Sequence, residues 1–284
     1  MTQSQETGGL SARSAVTAPT PAATGRAPRL VSPRERAVAV ASPIVLLIAW
    51  EIAARTNLID ARILPAPSLV AATIYDMTVH GDLLTDTRDT ILRFLAGIFA
   101  GVLPGVFLGL TMGLFRWIGV VLNPIVGVFY NIPRIALFPL VLIIVGLNET
   151  SNILMIALGP FFTMLITAMG AVMTVDPVYR DVAKNFNTGP RHLYLMVTLP
   201  AIAPALMSGL RISVGLGLLG TIAVEFLVAD SGLGHVIWNS WTVLSLTQSM
   251  AGLVVAALVG YVMFTMVSLL ERLLVPWNRP RSFA

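Results

Sequence analysis

Few side chains in this chain could carry out covalent chemistry. There is no cysteine, which excludes thiol nucleophiles, disulfides and thiolate metal sites. The histidines, His80, His192 and His235, are far apart and belong to no metal or nucleophile–base constellation. The single lysine, Lys184, follows an alanine instead of a glycine-rich turn, which excludes a Walker-type phosphate loop. We therefore predict no catalytic residue, no metal and no cofactor bound by this chain.

The composition is that of a membrane protein. Of 284 residues, 56% are hydrophobic and 11% are charged, whereas a soluble domain has roughly 25% charged residues. The mean hydropathy is +0.83. The net charge of +4 does not indicate nucleic-acid binding, because the basic residues flank apolar segments. In a membrane protein such an excess is an orientation signal.

We predict an all-α, polytopic protein with about six membrane spans, since each span needs about 20 apolar residues. The third is expected to be a broken helix, because it contains Asn131, Pro133 and Arg134. Such breaks occur where protein or a watery cavity surrounds them. The predicted spans are 38–55, 88–113, 117–147, 152–174, 199–228 and 248–273.

The distribution of basic residues predicts that both termini are cytoplasmic. Residues 1–36 have no apolar periodicity and are expected to form a disordered cytoplasmic tail, followed by a transmembrane domain over 37–284. With this orientation the outer side holds Arg55, Arg62, Arg88 and Arg93. The inner side holds a larger set: Arg13, Arg26, Arg29, Arg34, Arg36, Arg116, Arg180, Lys184, Arg191, Arg272, Arg279 and Arg281.

Two spans carry small residues at every fourth position, which keeps them along one side of a helix and permits close approach of another helix. One interpretation is ordinary packing within the chain, and the other is a dimer or gate interface that slides. The spacing does not decide between them. The residues are Gly97, Gly101, Gly105, Gly109 and Gly113, and Ala205, Gly209, Ser213, Gly217 and Thr221.

One cytoplasmic loop, VDPVYRDVAKNFNTGPRHLYLMVT over 175–198, is amphipathic. Asp176 and Pro177 suit the start of a first short helix. The segment Asn187–Pro190 suits the end of that helix and the start of a second one. An apolar helix face exposed to water needs a groove to cover it, so this loop is predicted to dock into a partner.

The loop resembles the signature loop of binding-protein-dependent ABC importer permeases. The family pattern is E-A-A, three residues, G, nine residues, and I-x-L-P. Here Asp181-Val182-Ala183 stand at E-A-A, Asn187 at the glycine, Val197 at the isoleucine and Leu199-Pro200 at L-P, without a gap. Asp, Val and Asn depart conservatively from the pattern, and Asn still suits the left-handed turn.

The resemblance extends from about Leu64 to Arg272 and is to the nitrate, taurine and aliphatic-sulfonate branch. Its motifs include ILPAPSLV, NIPRIALFPLVLIIVGLNE and SGLRISVGLGLLGTIAVEFLVADSGLGHVIWNS. It implies a type I importer fold with a core at about 84–273. The solute would be a small, anionic one of the sulfonate, taurine, nitrate or bicarbonate kind.

The resemblance also implies the partners and the compartment. The partners would be a second permease copy, a cytoplasmic ABC ATPase dimer that holds ATP and Mg, and an extracytoplasmic substrate-binding protein. The protein would lie in the lipid bilayer of a bacterial cytoplasmic membrane. The ATPase-coupling loop would comprise Tyr179, Arg180, Asp181, Val182, Ala183, Lys184, Phe186, Asn187, Gly189, Val197, Leu199 and Pro200.

The charges inside the spans, with Asn131 and Pro133, are the candidates for the translocation pathway. Charges there are costly and tend to face a cavity or a partner. Arg211 either lines the route of an anionic substrate or is a structural charge bonded to carbonyls of a broken neighbouring helix. Arg134 either tunes the gate or marks a helix end at the interface. Glu225 is expected to support the outer loop DSGLGHVIWNS.

Two other classes of function remain as alternatives. A secondary transporter would work without an ATPase and would show two related halves with ionisable groups near mid-membrane. No such half-to-half similarity is visible in the sequence. An intramembrane enzyme would need a nucleophile with a base, or a metal cluster, within the spans. Neither constellation is present there.

Overall fold

The structure is a computed structural model that describes residues 33–56, 58–60, 62–176, 178, 189, 192 and 194–277. All regular structure in these ranges is helical. A 3₁₀ turn covers Arg134–Leu137 and a π-helical turn covers Tyr194–Thr198. The α-helices are α1 Pro33–Arg55, α2 Pro67–Val79, α3 Leu83–Leu114, α4 Arg116–Tyr130, α5 Phe138–Val145, α6 Glu149–Met173, α7 Leu199–Leu227, α8 Leu233–Thr242 and α9 Leu246–Leu274.

In the described ranges, five helices (α1, α3, α6, α7 and α9) are long and apolar enough to cross a membrane, which confirms five of the predicted spans. Helix α4 and the segment 134–145 meet the same criterion only as a bent pair, which counts as a sixth span when its two arms are taken as one. The ends of these segments lie within five residues of the predicted ends. The helices α2 and α8 were not predicted from the sequence. With 13 and 10 residues, both are too short to span a bilayer.

The third span is broken, as its composition predicts. The chain bends by 91° between Tyr130 and Arg134. Pro133 lacks a backbone N–H and disfavours the helical conformation for the residue before it, so α4 cannot continue. The Asn131 side chain donates to the carbonyl oxygen of Gly127 at 2.6 Å, which satisfies an acceptor at the end of α4. Pro139, in the first turn of α5, suits the restart of the helix.

Helices α3 and α6 form the central pair, and α7 packs against both of them. Their interfaces hold two of the buried clusters: Phe94, Ile98 and Val214 between α3 and α7, and Ala171, Val172 and Ile202 between α6 and α7. The helix α9 closes the other side by packing on α7, α8 and α2. The three helices α3, α6 and α7 therefore form the frame against which the broken span lies.

Helix α1 begins at Pro33, inside the range assigned from sequence to the tail. Proline suits the first turn of a helix, where its missing N–H costs nothing. The helix α1 packs against α2. A carboxylate of α1 caps the start of α2, because Glu51 accepts from the backbone N–H of Ser68 at 3.0 Å and from its hydroxyl at 2.7 Å. The rest of the predicted tail, residues 1–32, lies outside the described residues.

Candidate functional site

A partly open cavity of about 470 Å³ lies where the third span breaks. The end of α4 and the break form one wall, and the middle parts of α6 and α7 form the other. Apart from one guanidinium and one phenol, the side chains around it are apolar. The lining residues are Tyr130, Ile132, Pro133, Arg134, Ile135, Met155, Ile156, Gly159, Leu216, Leu219, Gly220, Ala223 and Val224.

Arg134 is the charged residue of this cavity. Its guanidinium carbon lies 6.0 Å from the centroid of the Tyr130 ring, at the outer limit of a cation–π contact. Gly159 lies beside the guanidinium, since a Cβ atom there would be in ordinary contact with Arg134 Nη1 at 3.7 Å. Within the described part of the chain, Arg134 has no hydrogen bond and no ion pair. Its charge therefore faces the cavity without a countercharge from these residues.

The other predicted pathway residues have different surroundings. Pro133 lines the cavity, whereas Asn131 does not and is bonded to Gly127. Arg211 forms an ion pair with Glu271 of α9, and its guanidinium carbon lies 5.3 Å from the Phe264 ring. This partner is neither of those considered from sequence. Glu271 lies three residues before the C-terminus of α9. The Arg211 side chain therefore points towards the C-terminus of α9, and it does not line the cavity.

The Arg211–Glu271 contact predicts a measurable coupling. We expect Arg211→Ala and Glu271→Ala each to lower the melting temperature of the purified protein, and the double variant to be no worse than either alone. The coupling energy should be about 1 kcal/mol, because the Arg211 side chain is 37% exposed. Strictly additive losses would show that the two side chains do not interact. Arg272→Ala, one residue along α9, is the control.

The predicted coupling loop is only partly within the described residues. Tyr179, Arg180, Asp181, Val182, Ala183, Lys184, Phe186 and Asn187 lie outside them. At the start of the loop, Asp176 accepts from the backbone N–H of Val178 at 2.9 Å, as expected of a helix cap. Gly189 is exposed, Val197 lies in the π-helical turn, and Leu199 and Pro200 begin α7.

A second cavity, of about 390 Å³, lies at the base of this loop. Ala201, Ile202 and Pro204 of α7 line it together with the end of α6, Asp176 and Trp277. The C-terminus of α6, the N-terminus of α7 and the C-terminal segment around Trp277 therefore meet at one end of the molecule. The N-terminus of α6 and the C-terminus of α7 meet at the opposite end, through the Arg93 contacts described below.

The geometry of a helical bundle with a broken span and a partly open cavity agrees with the comparison with known proteins. The family model of the binding-protein-dependent transport system inner membrane component matches residues 97–280. The chain belongs to this family. It is a permease subunit of an ATP-binding cassette importer, which decides against a secondary transporter and an intramembrane enzyme. The family role is translocation and not catalysis.

Relatives with different named solutes resemble the permease to a similar degree. SsuC of Escherichia coli, an aliphatic sulfonates transport permease by name, is 31% identical over 83% of this chain and 90% of SsuC. TauC of the same organism, a taurine transport system permease protein, is 29% identical over 86% of this chain and 91% of TauC. RibX of Chloroflexus aurantiacus, a riboflavin transport system permease protein, is 31% identical over 87% of this chain and 96% of RibX.

Glu225 of the permease lies beneath the outer loop that it was expected to support. Its carboxylate accepts from the backbone N–H of Gly234 at 2.9 Å, from the Thr90 hydroxyl at 2.9 Å and from Arg93 Nη1 at 3.2 Å. The side chain is fully buried and does not line the cavity. The contacts of Glu225 are therefore those of a structural residue, although it stood among the pathway candidates.

Arg93 is the centre of this region, which we call the Arg93 cluster (Arg93, Thr90, Glu149, Glu225 and Ser231). Besides Glu225, the guanidinium binds the Glu149 carboxylate at 2.8 Å and the Ser231 carbonyl at 2.6 Å. One side chain thus joins α3 to the start of α6, the end of α7 and the loop before α8. A guanidinium can do this because its five N–H donors point in fixed directions.

The N-terminus of α8 is held by the same end of α3. The backbone N–H of Gly232 donates to Asp86 at 2.7 Å, and that of Leu233 donates to the Thr90 hydroxyl at 2.7 Å. These acceptors satisfy donors that a helix start leaves free. Gly232 has φ +109°, a conformation that favours glycine. The conformation of the loop before α8 therefore depends both on its own Gly232 and on the side chains of α3 that bind its backbone.

The contacts of Arg93 were not predicted from the sequence, in which Arg93 was counted only among the charges of the outer side. A signal was available, since Arg93 lies inside the predicted span 88–113. A charge at that position requires a partner by the same reasoning that selected Arg134, Arg211 and Glu225. The identity of the partners was not readable, because Glu149 and Glu225 are 56 and 132 residues away in sequence.

The stripes of small residues pack within the permease chain. The α3 stripe faces α6, where a Cβ at Gly105 would lie 2.5 Å from the Phe161 carbonyl oxygen and one at Gly113 2.8 Å from Val172 Cβ. The α7 stripe faces both frame helices, because Gly209 meets Thr167 of α6 and Gly217 meets Ile98 of α3. Both stripes thus have the contacts expected of ordinary packing within one chain.

Proposed function

We propose that this permease moves a small anionic solute inward, of the sulfonate, taurine, nitrate or bicarbonate kind, after delivery by an extracytoplasmic binding protein. The observation that carries the anionic character is Arg134, a guanidinium without an ionic partner among the described residues, in the wall of the partly open cavity at the broken span. The names of SsuC and TauC support the same class.

The energy would come from a separate cytoplasmic ATPase dimer, which would hold ATP and Mg. The support is that this chain has no glycine-rich turn before its single lysine. The loop residues 179–187, with Gly189, Val197, Leu199 and Pro200, would dock into the ATPase. Two exposed apolar side chains near the ends of that loop, Val178 and Met196, favour such docking. Closure of the ATPase dimer would then pull on α6 and α7.

The complete importer would contain two copies of this permease, in a bacterial cytoplasmic membrane with both termini in the cytoplasm. The excess of basic residues on the proposed inner side supports this orientation. We also propose that residues 1–36 form a cytoplasmic tail and that 37–284 form the permease domain, with a core at about 84–273. The family match over 97–280 lies within that domain.

Co-purification tests the partner assignment. We expect the permease, expressed with its cognate ATPase, to hold that ATPase through affinity purification. The Ala183→Asp variant should reduce transport and co-purification at least about tenfold, because a charge in an apolar docking face is left without a partner. Uptake is measured in proteoliposomes with the solute bound by the cognate binding protein.

Ala183→Gly is the matched control, because it keeps the position small and uncharged and should retain most of the uptake. Membrane levels of both variants are measured by immunoblot. Wild-type uptake in Ala183→Asp would contradict the docking role of this loop. Purification of an active transporter without any ATPase would contradict the proposed energy source.

A further inference from the structure

We infer that the cavity at the broken span is a transit binding site for an amphipathic anion, with Arg134 as its countercharge and the surrounding side chains as the site for an apolar body. The inference rests on the proposed function and narrows it. Among the proposed solutes it favours organic anions over small inorganic ones. It also assigns anion recognition to Arg134 and not to Arg211.

The charges of the permease leave Arg134 available for this role. Arg93 binds Glu149 and Glu225, Arg211 binds Glu271, and Arg55 binds Glu51. Arg134, in contrast, has only the Tyr130 ring beside it among the residues that the structure describes. A guanidinium without an ionic partner gains from a ligand oxyanion, which it can bind through two parallel N–H donors.

The size and lining of the cavity select an anion with an apolar part. A bare inorganic anion would occupy a small part of the 470 Å³ cavity and leave its apolar side chains in contact with water. Such an anion would also lose hydration that Met155, Leu216 and Leu219 cannot replace. An alkyl or aryl body places apolar surface against these side chains, while its charged end stays on Arg134.

Two glycines of the cavity wall have room for a small side chain. A Cβ at Gly159 would be in ordinary contact with Arg134 Nη1 at 3.7 Å, and one at Gly220 with the backbone of Ile156 at 3.8 Å. A cysteine at Gly220 therefore fits into the cavity wall without displacing a neighbour. Because the chain has no native cysteine, a Gly220→Cys variant carries a single thiol that reports on the cavity.

Thiol labelling of the full-length Gly220→Cys protein in native membranes tests the inference. The anionic reagent is sulfonatoethyl methanethiosulfonate, and the cationic reagent is trimethylammonioethyl methanethiosulfonate. After reaction the protein is purified and its remaining thiol is titrated with a fluorescent maleimide. We expect Arg134→Gln to lower the labelling rate of the anionic reagent and to raise that of the cationic reagent, each by about fivefold. The reason is that the variant removes one positive charge near the thiol, in a medium of intermediate dielectric constant. Arg134→Lys should restore most of the preference.

Protection from labelling tests the class of ligand. We expect millimolar butanesulfonate to slow labelling of Gly220→Cys at least about threefold, in proportion to the occupancy of the cavity. The same concentration of nitrate or of butanesulfonamide should not. Arg134→Gln should abolish the protection. Protection by nitrate equal to that by butanesulfonate would overturn the requirement for an apolar body.

Ala201→Cys is the matched control, because Ala201 lines the second cavity, which contains Asp176 and no arginine among its lining residues. Its preference between reagents should not depend on Arg134. An unreactive Gly220→Cys, or an equal response of both variants to Arg134→Gln, would refute the inference. Labelling needs neither ATP nor a partner protein. The proposed binding site can therefore be refuted by labelling even when the ATPase co-purifies with the permease. Loss of co-purification alone would refute only the proposed energy source.

Discussion

Arg93→Ala is expected to destabilise the permease by about 3–5 kcal/mol, because it leaves the Glu225 carboxylate buried without a cation. The Glu225 side chain has no exposed surface, and that of Arg93 is 10% exposed. The Thr90 hydroxyl and the Gly234 N–H would remain as donors, but neither carries a charge. The same substitution frees the start of α6 and the loop before α8, which Arg93 holds through Glu149 and Ser231.

The loss is measured as membrane yield and as the melting temperature of the detergent-purified protein. Arg88→Ala is the matched control, since Arg88 is exposed on the same helix, five residues away. We expect Arg93→Met combined with Glu225→Gln to recover part of the stability, because removing both charges costs less than removing one. An unchanged melting temperature in Arg93→Ala would show that the Arg93 cluster does not hold the outer end together.

The second large effect is expected at the interface of α3 and α6. Gly105→Leu should prevent accumulation of folded permease, at a cost of more than about 4 kcal/mol. A Cβ at this position would already lie 2.5 Å from the carbonyl oxygen of Phe161, and backbone atoms cannot move aside as the end of a flexible side chain can. The remaining atoms of leucine would force the two helices apart along the stripe of small residues.

Gly170→Ala on α6 is the control for glycine replacement in general, because a Cβ there meets nothing within 4 Å. It should be neutral or slightly stabilising, since alanine is favoured over glycine in a helix by about 1 kcal/mol. Yield and monodispersity are measured by size-exclusion chromatography. A folded Gly105→Leu protein with wild-type stability and impaired transport alone would support the sliding interface instead.

The Arg93 cluster and the α3–α6 contact together suggest which parts of the permease move as one. Arg93 joins the N-terminal parts of α3 and α6 to the C-terminal part of α7, and the stripes of small residues join the middle parts of these helices. Among the described residues, Arg134 of the broken span forms no ion pair and no side-chain hydrogen bond with this frame. A movement of residues 131–137 would therefore break fewer buried polar contacts than a movement of the frame helices relative to one another.

Much of the architecture follows from the sequence because the bilayer sets it. A span needs about 20 apolar residues whatever its neighbours are, so the six segments and their ends could be predicted. The break at Pro133 is also local, since proline cannot continue α4. The family pattern in the loop between α6 and α7 required no structure either, because it depends on residue types at fixed spacing.

The short helices α2 and α8 could not be predicted from the length of apolar segments. Neither is long enough to cross a membrane, so the criterion that found the spans could not find them. The start of α8 depends on Asp86 and Thr90, which lie on another helix and are 146 and 143 residues from their partners. A sequence pattern within the loop does not contain that contact.

Only the tertiary structure shows which groups surround each charge. Arg134 and Arg211 were both candidates for the pathway, yet one lines the cavity and the other binds Glu271, which is 60 residues away. Arg93 was counted as an outer charge and is the centre of a buried cluster. Depth along a span can be read from spacing alone. The partner of a side chain depends on the rotation of its helix, which the packing of several helices determines.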